Sequence, residues 1–182
     1  MSLIFPVDAN LKDGSPVQLV LADERDVESL RRLYRVIVDE GNSYPHDRFP
    51  EQDDFMDYWV RGKSTVAAYV PDRAGAAGMV GAFYLKPNWP GRAGHVANAG
   101  FIVAPDWRNK GLGWLLGTTM LVHAKQLGYR GVIFNLVFSE NVVARRLWDK
   151  LGFNELGAIP GAVRKNDGTY QDAMIMFRSL GD

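Results

Sequence analysis

The run Arg108-Asn109-Lys110-Gly111-Leu112-Gly113 places two cations and two glycines immediately before an apolar helical pattern. Where a strand gives way to a helix, the first backbone N–H groups lack partners and the helix dipole is positive. Glycine lets an anion approach that backbone, while Arg108 and Lys110 can charge the same oxygens. A pyrophosphate suits such a turn. A dinucleotide fingerprint does not fit, because the third glycine, Gly117, falls one residue late and the strand Val132 to Phe138 carries no acid for a ribose. A Walker string is absent. The plain structural alternative is two glycines that only tighten a strand-to-helix turn.

Other polar residues sit inside apolar runs. Asn135 interrupts Ile133 to Phe138, and a buried amide without partners costs on the order of 1 to 3 kcal/mol, so it is expected to be bonded, to neighbouring backbone or to a ligand. Asn98 lies in the run Ala97 to Val103, and Asn141 stands where it can cap a helix. Three histidines, His46, His95 and His123, complete the set of neutral-pH bases.

The elements that must position these residues follow from periodicity. Val17 to Leu21 reads as a strand; Asp23 opens a helix with Val27, Leu30, Tyr34, Ile37 and Val38 on one face, closed by Gly41. A polar loop to Pro50 precedes a second helix from about Glu51 to Arg61. Strands at Thr65 to Val70 and Met79 to Lys86 form a hairpin over a turn rich in Asp, Gly and Ala. Pro87 to Gly94 is a loop before the strand Ala97 to Val103. Leu112, Leu116, Met120, Ala124 and Leu127 then mark a helix, followed by the strand Val132 to Phe138 and a helix from Asn141 to Leu151. Strands at Ala158 to Arg164 and Tyr170 to Arg178, joined by Asn166-Asp167-Gly168, end the chain. The expectation is an α/β fold with a mixed, mostly antiparallel sheet.

At 182 residues, one domain over 1–182 is expected, with a core from about 17 to 180 and residues 1–16 as an extension. Equal numbers of basic and acidic residues, 21 of each, give no global field for nucleic acid or an anionic membrane. The absence of cysteine excludes a disulfide scaffold, a thiolate metal site and a cysteine nucleophile. No targeting pattern or 20-residue apolar run is present, so the expected location is the cytoplasm.

Two segments together resemble a known family. Arg108, Gly111 and Gly113, preceded by Phe101-Ile102-Val103-Ala104-Pro105, and Asn141, Ala144, Trp148 and Gly152-Phe153 one strand later, resemble the two signatures of the GCN5-related N-acetyltransferases. The resemblance covers roughly Val17 to Leu180. It implies an acyl-coenzyme A N-acyltransferase fold, with the sheet splayed between Ala97–Val103 and Val132–Phe138 and flanked by helices. It also implies acetyl-coenzyme A as cosubstrate and no metal. The cofactor contacts it implies are Phe101, Ile102, Val103, Arg108, Asn109, Lys110, Gly111, Leu112, Gly113, Trp114, Asn141, Ala144 and Trp148, with the backbone of Phe101 to Val103 pairing with pantetheine. An amine then attacks the thioester directly.

The chain departs from the family at two places. Asn98 stands where many members carry a glutamate base, and Trp148 where many carry a tyrosine acid; neither replacement can exchange a proton at neutral pH. His95, Glu140 and Asp172 are candidate bases, and Tyr170 or solvent a candidate acid. Asn88 to Arg92, Asn98 to Phe101 and Phe134 to Phe138 are also similar to fungal enzymes that acetylate azetidine-2-carboxylate and other proline analogues. That similarity implies a small acceptor whose amine and carboxylate are held together by Asn98 and Asn135 near the thioester; Tyr44 lies on the polar and aromatic loop, Asn42 to Phe49, where the family varies to select its acceptor. A protein or peptide N-acetyltransferase and a non-catalytic acyl-coenzyme A sensor are the alternatives. The oligomeric state is not readable from the sequence; a homodimer through the last strands is what many relatives would suggest.

Overall fold

The structure is a computed structural model describing residues 3–71 and 78–181. The expected Asp-, Gly- and Ala-rich turn, at residues 72–77, lies outside the described residues, as do Met1, Ser2 and Asp182.

The strands are β1 (Val7–Asn10), β2 (Pro16–Leu21), β3 (Ser64–Tyr69), β4 (Met79–Pro87), β5 (Val96–Val103), β6 (Gly131–Phe138), β7 (Asn154–Arg164) and β8 (Tyr170–Ser179), and the helices are α1 (Val27–Glu40), α2 (Gln52–Trp59), α3 (Leu112–Gln126) and α4 (Val142–Lys150). All described strands lie in one sheet of order β1-β2-β3-β4-β5-β6-β8-β7. Every pair is antiparallel except β5 with β6, which α3 connects as a crossover.

Helices cover both faces. Leu30, Tyr34, Ile37 and Val38 of α1 and Phe55 and Trp59 of α2 pack on Ala67, Ala82, Tyr84 and Ile102. Leu112, Leu116, Met120 and Ala124 of α3 and Trp148 of α4 pack on Phe83, Ala97, Ala99, Val132 and Phe134. Leu127, read as part of the α3 core face, is instead 48 % exposed just beyond the helix end. Asp23 caps a short 3-10 turn, Glu24–Asp26, that leads into α1, and Gly41 closes α1 in the left-handed region at φ 65.

Two strand boundaries differ from the sequence reading. β1 emerges within the N-terminal segment; it is short and half polar, and only its pairing with β2 makes it a strand. β7 begins at Asn154, four residues earlier than its alternation suggests, because β8 pairs with Asn154 and Glu155 through two register shifts. Pro160 is tolerated there because β7 is an edge strand.

The feature that shapes the site is a fork. β5 and β6 pair only at Val96↔Gly131, Ala97↔Val132 and Asn98↔Ile133, and then part. Below the fork, Phe101, Phe134 and Trp148 form a wedge, with ring centroids 6.1 Å apart for Phe101 and Phe134, 4.7 Å for Phe101 and Trp148, and 4.6 Å for Phe134 and Trp148. β6 also breaks register with β8 between Phe134 and Val137, which inserts Asn135 and Leu136 as a bulge at this level.

Candidate active site

The fork opens into a cavity of about 890 Å³ bordered by Tyr44, Tyr58, Tyr84, Lys86, Asn98 to Val103, Arg108, Asn109, Gly113, Phe134 to Phe138, Asn141, Ala144 and Trp148. One cavity therefore joins both signature segments and both strand asparagines.

Backbone parity decides which groups face the gap. Asn88 N–H donates to Val96 C=O at 2.8 Å and Ala104 N–H to Val80 C=O at 2.9 Å, so the even-numbered residues of β5 bond β4 across the register. The N–H and C=O of Ala99, Phe101 and Val103 consequently point into the gap. Ile102 does not fit the pantetheine role expected of it: its backbone is turned to β4 and its side chain, 2 % exposed, is core.

At the head of α3 the first helical bond runs from Leu115 N–H to Gly111 C=O, which leaves the N–H groups of Leu112, Gly113 and Trp114 without partners in the helix. Asn109 and Gly111 turn the chain there with φ of 62 and 94. The two cations are differently placed from the sequence expectation. Arg108 pairs with Glu40 of α1 at 2.7 Å, and Lys110 with Asp13 of the β1–β2 turn at 3.8 Å, so each shares its charge with a carboxylate. Leu112 is fully buried and can offer only its N–H, while Trp114 is largely exposed and, like Lys110 and Gly111, does not border the cavity. Asn141 caps α4 by accepting from Ala144 N–H at 3.1 Å, and both residues border the cavity.

Asn98 is half-buried and donates from Nδ2 to Ile133 C=O at 3.0 Å, closing the last rung of the fork. Asn135 is not buried as its apolar strand suggested: the bulge exposes it, and its Nδ2 donates to Asn88 Oδ1 at 2.6 Å. Tyr44 is no free loop aromatic. It is buried against Tyr34, and its hydroxyl donates to Phe101 C=O, one of the gap-facing carbonyls, at 3.1 Å. Gly100 permits this, since a Cβ there would lie 2.8 Å from the Tyr44 hydroxyl and 2.5 Å from the Tyr84 ring.

Of the proton-transfer candidates, Glu140 borders the cavity and pairs with Lys165 at 2.9 Å. His95 and Asp172 are exposed and outside the cavity lining, and Asp172 accepts from Gly161 N–H at 2.8 Å. Tyr170 is 65 % exposed and also outside it. Trp148, 7 % exposed, is part of the aromatic wedge. Burial pushes the hydroxyls of Tyr44, Tyr58 and Tyr84 above the usual phenol range, with neighbouring tyrosines adding to the rise for Tyr44 and Tyr84. These phenols stay protonated and act as hydrogen-bond donors.

Sequence reading missed Tyr84 and Lys86, and it named Asn88 only within a string of family resemblance, with no role at the site. The available signal was parity: Ala82, Tyr84 and Lys86 alternate along β4, and Asn88 just past its end continues the alternation, so they share a face, but only the fork shows that this face is a mouth.

A sheet forked between parallel central strands, with unpaired amides at the next helix and a cavity at the fork, defines an acyl-transfer architecture. Residues 28–153 match the acetyltransferase (GNAT) family, and the chain belongs to that family of N-acetyltransferases. It is 36% identical over 161 residues to N-acetyltransferase aca1 of Schizosaccharomyces pombe, a match covering 80% of this chain and 77% of that one. A GCN5-related N-acetyltransferase from Kribbella flavida superposes with a TM-score of 0.80 at 30% identity, over 90% of this chain and 97% of that one. A phosphinothricin acetyltransferase from Sinorhizobium meliloti, solved in complex with AcCoA, superposes with a TM-score of 0.78 at 24% identity, over 91% and 89% of the two chains. Among the described residues no helix is long and apolar enough to cross a membrane.

Proposed function

We propose that this chain transfers the acetyl group of acetyl-coenzyme A to the amine of a small amino acid or proline analogue. The observation that carries the reading is the fork: β5 turns the backbone of Ala99, Phe101 and Val103 into a gap that leads to Asn98 and Asn135. The residues fit the cosubstrate's chemistry. An extended arm with amides matches those strand groups, and a pyrophosphate matches the unpartnered N–H groups of Leu112, Gly113 and Trp114. The AcCoA complex of the Sinorhizobium meliloti relative supports this assignment.

Bound acetyl-coenzyme A supplies a thioester carbon open to attack by a neutral amine. This chain's own part is to orient and desolvate. Asn98 and Asn135 hold the acceptor at the fork, and Tyr58 and Tyr84 wall it from bulk water. Asn98 cannot take the amine's proton and Glu140, the candidate base that borders the cavity, is paired with Lys165, so water at the polar mouth takes it. The leaving thiolate needs no dedicated acid, because a thiol's ordinary pKa is only about 8.5. The burial of Tyr44 in the cavity wall favours a small acceptor over an extended peptide.

The test is release of thiol from acetyl-coenzyme A, read with a colorimetric disulfide reagent. Acceptors include azetidine-2-carboxylate, proline analogues, primary amino acids, polyamines and short peptides. The chain has no cysteine and adds no background. Release with amino acids or proline analogues is expected. Release with peptides alone would replace the acceptor assignment, and tight cofactor binding without release on any amine would favour a sensor.

A further inference from the structure

β4 and β5 pair so that Lys86 lies directly opposite Asn98, and residues directly opposite share a face of the sheet. Asn88, two residues on and just past the end of β4, keeps the same parity and accepts from Asn135. Lys86, Asn88, Asn98 and Asn135 thus converge on the mouth of the fork, and Lys86 alone of the four lies outside the strings that carried the family resemblance.

The charges around this mouth are unequally satisfied. Three cations border the cavity: Lys86, Arg108 and Lys165. Arg108 is held by Glu40 at 2.7 Å and Lys165 by Glu140 at 2.9 Å. Among the described residues, no carboxylate oxygen lies within 4.0 Å of the Lys86 ammonium. Lys86 is half-buried as a residue, and its ammonium sits 6.0 Å from the centre of the Tyr84 ring. Lys86 and Tyr58 also border an outer groove that carries Asp47, Glu51, Asp54 and Asp57. Lys86 is therefore a positive point between an acidic rim and two neutral amides. A cation without a counter-ion gains from an anionic group on the ligand, and its contrast of sign with the rim orients a zwitterion at the mouth.

We propose that Lys86 selects acceptors bearing a free carboxylate, pairing with that group while Asn98 and Asn135 engage the amine end. The assignment rests on the acetyl-transfer reading above, but it concerns specificity and not whether transfer occurs. An acceptor without its carboxylate leaves the ammonium without that partner, and sites built around a polar contact discriminate against ligands lacking it.

The experiment compares azetidine-2-carboxylate, its carboxamide and unsubstituted azetidine as acceptors for the full chain with acetyl-coenzyme A. The unmodified protein is expected to favour the acid. In Lys86→Met the ratio of kcat/KM for acid over carboxamide falls about tenfold, mostly through the acceptor's KM, with the KM for acetyl-coenzyme A unchanged. Lys86→Arg keeps part of the preference. Lys86→Gln serves if the Met variant folds poorly, and the acid-against-carboxamide comparison needs no variant. Robust turnover indifferent to the carboxylate, or equal loss on both acceptors in Lys86→Met, overturns the assignment while leaving the transferase reading intact. Absence of turnover on every amine, with acetyl-coenzyme A shown to bind, overturns the transferase reading and the role of Lys86 with it.

Discussion

Asn98 and Asn135 have the same side chain and very different settings, so their substitution should give different results. Asn98 supplies the donor for Ile133 C=O at the last rung of the fork. Asn98→Ala removes that donor and should lower stability by about 1 kcal/mol, as urea melts would register, as well as slowing turnover. Asn135 sits on a bulge in solvent reach, bonded to Asn88 across the mouth. Asn135→Ala should leave stability within about 0.5 kcal/mol, lower kcat/KM for the acceptor at least about tenfold, and spare the KM for acetyl-coenzyme A. Steady-state kinetics with each substrate varied in turn separate these effects; an Asn135→Ala enzyme with unaltered kinetics would remove that residue from the site. Trp148 lies at the position where relatives carry a tyrosine acid, but its three aromatic neighbours make it part of the wedge.

At the scale of elements, the head of α3 joins three parts of the chain. Lys12 N–H donates to Lys110 C=O at 3.0 Å, Asp13 pairs with Lys110, and Glu40 pairs with Arg108. The β1–β2 turn and the end of α1 thus buttress the loop whose amides are proposed to meet pyrophosphate. Gly111, at φ 94, is strained by any side chain, and a Cβ there would come within 3.0 Å of the Lys12 side chain. A single charged substitution would therefore confuse strain with electrostatics, whereas Gly111→Ala and Gly111→Asp share the backbone strain and differ in charge. Calorimetry should find acetyl-coenzyme A bound at least about tenfold more weakly by the Asp variant than by the Ala variant. Equal affinity would move the pyrophosphate elsewhere.

For the molecule as a whole, two histidines tie stability to pH. His123 is buried on α3, bonded through Nε2 to Ser64 Oγ at 2.8 Å and packed edge-on against Phe5. His46, on the loop after α1, shares a 2.6 Å hydrogen bond with the Tyr34 hydroxyl. Burial lowers the pKa of both below the ordinary 6.5; for His46, Asp47 and Asp54 oppose part of that shift. Each binds a proton less readily folded than unfolded. Their contribution is therefore complete above pH 6.5 and declines as the pH falls below it toward the folded value. Urea melts between pH 8 and 5 should show that decline, and His123→Asn should flatten part of it; an unchanged slope would assign it to other groups. The amino-acid sequence by itself determined the order of the main elements, the α/β class and the loop at residues 108–113, because periodicity, caps and glycine spacing are local properties of the chain. It also carried the family, since the two signatures are contiguous strings. The bulge that exposes Asn135, the parity that excludes Ile102, the carboxylates that claim Arg108 and Lys110, and the mouth that gathers Lys86 with three asparagines were decided only by the tertiary structure. Each depends on which strand or helix comes to lie beside which, and pairing between residues distant in the chain leaves no local pattern.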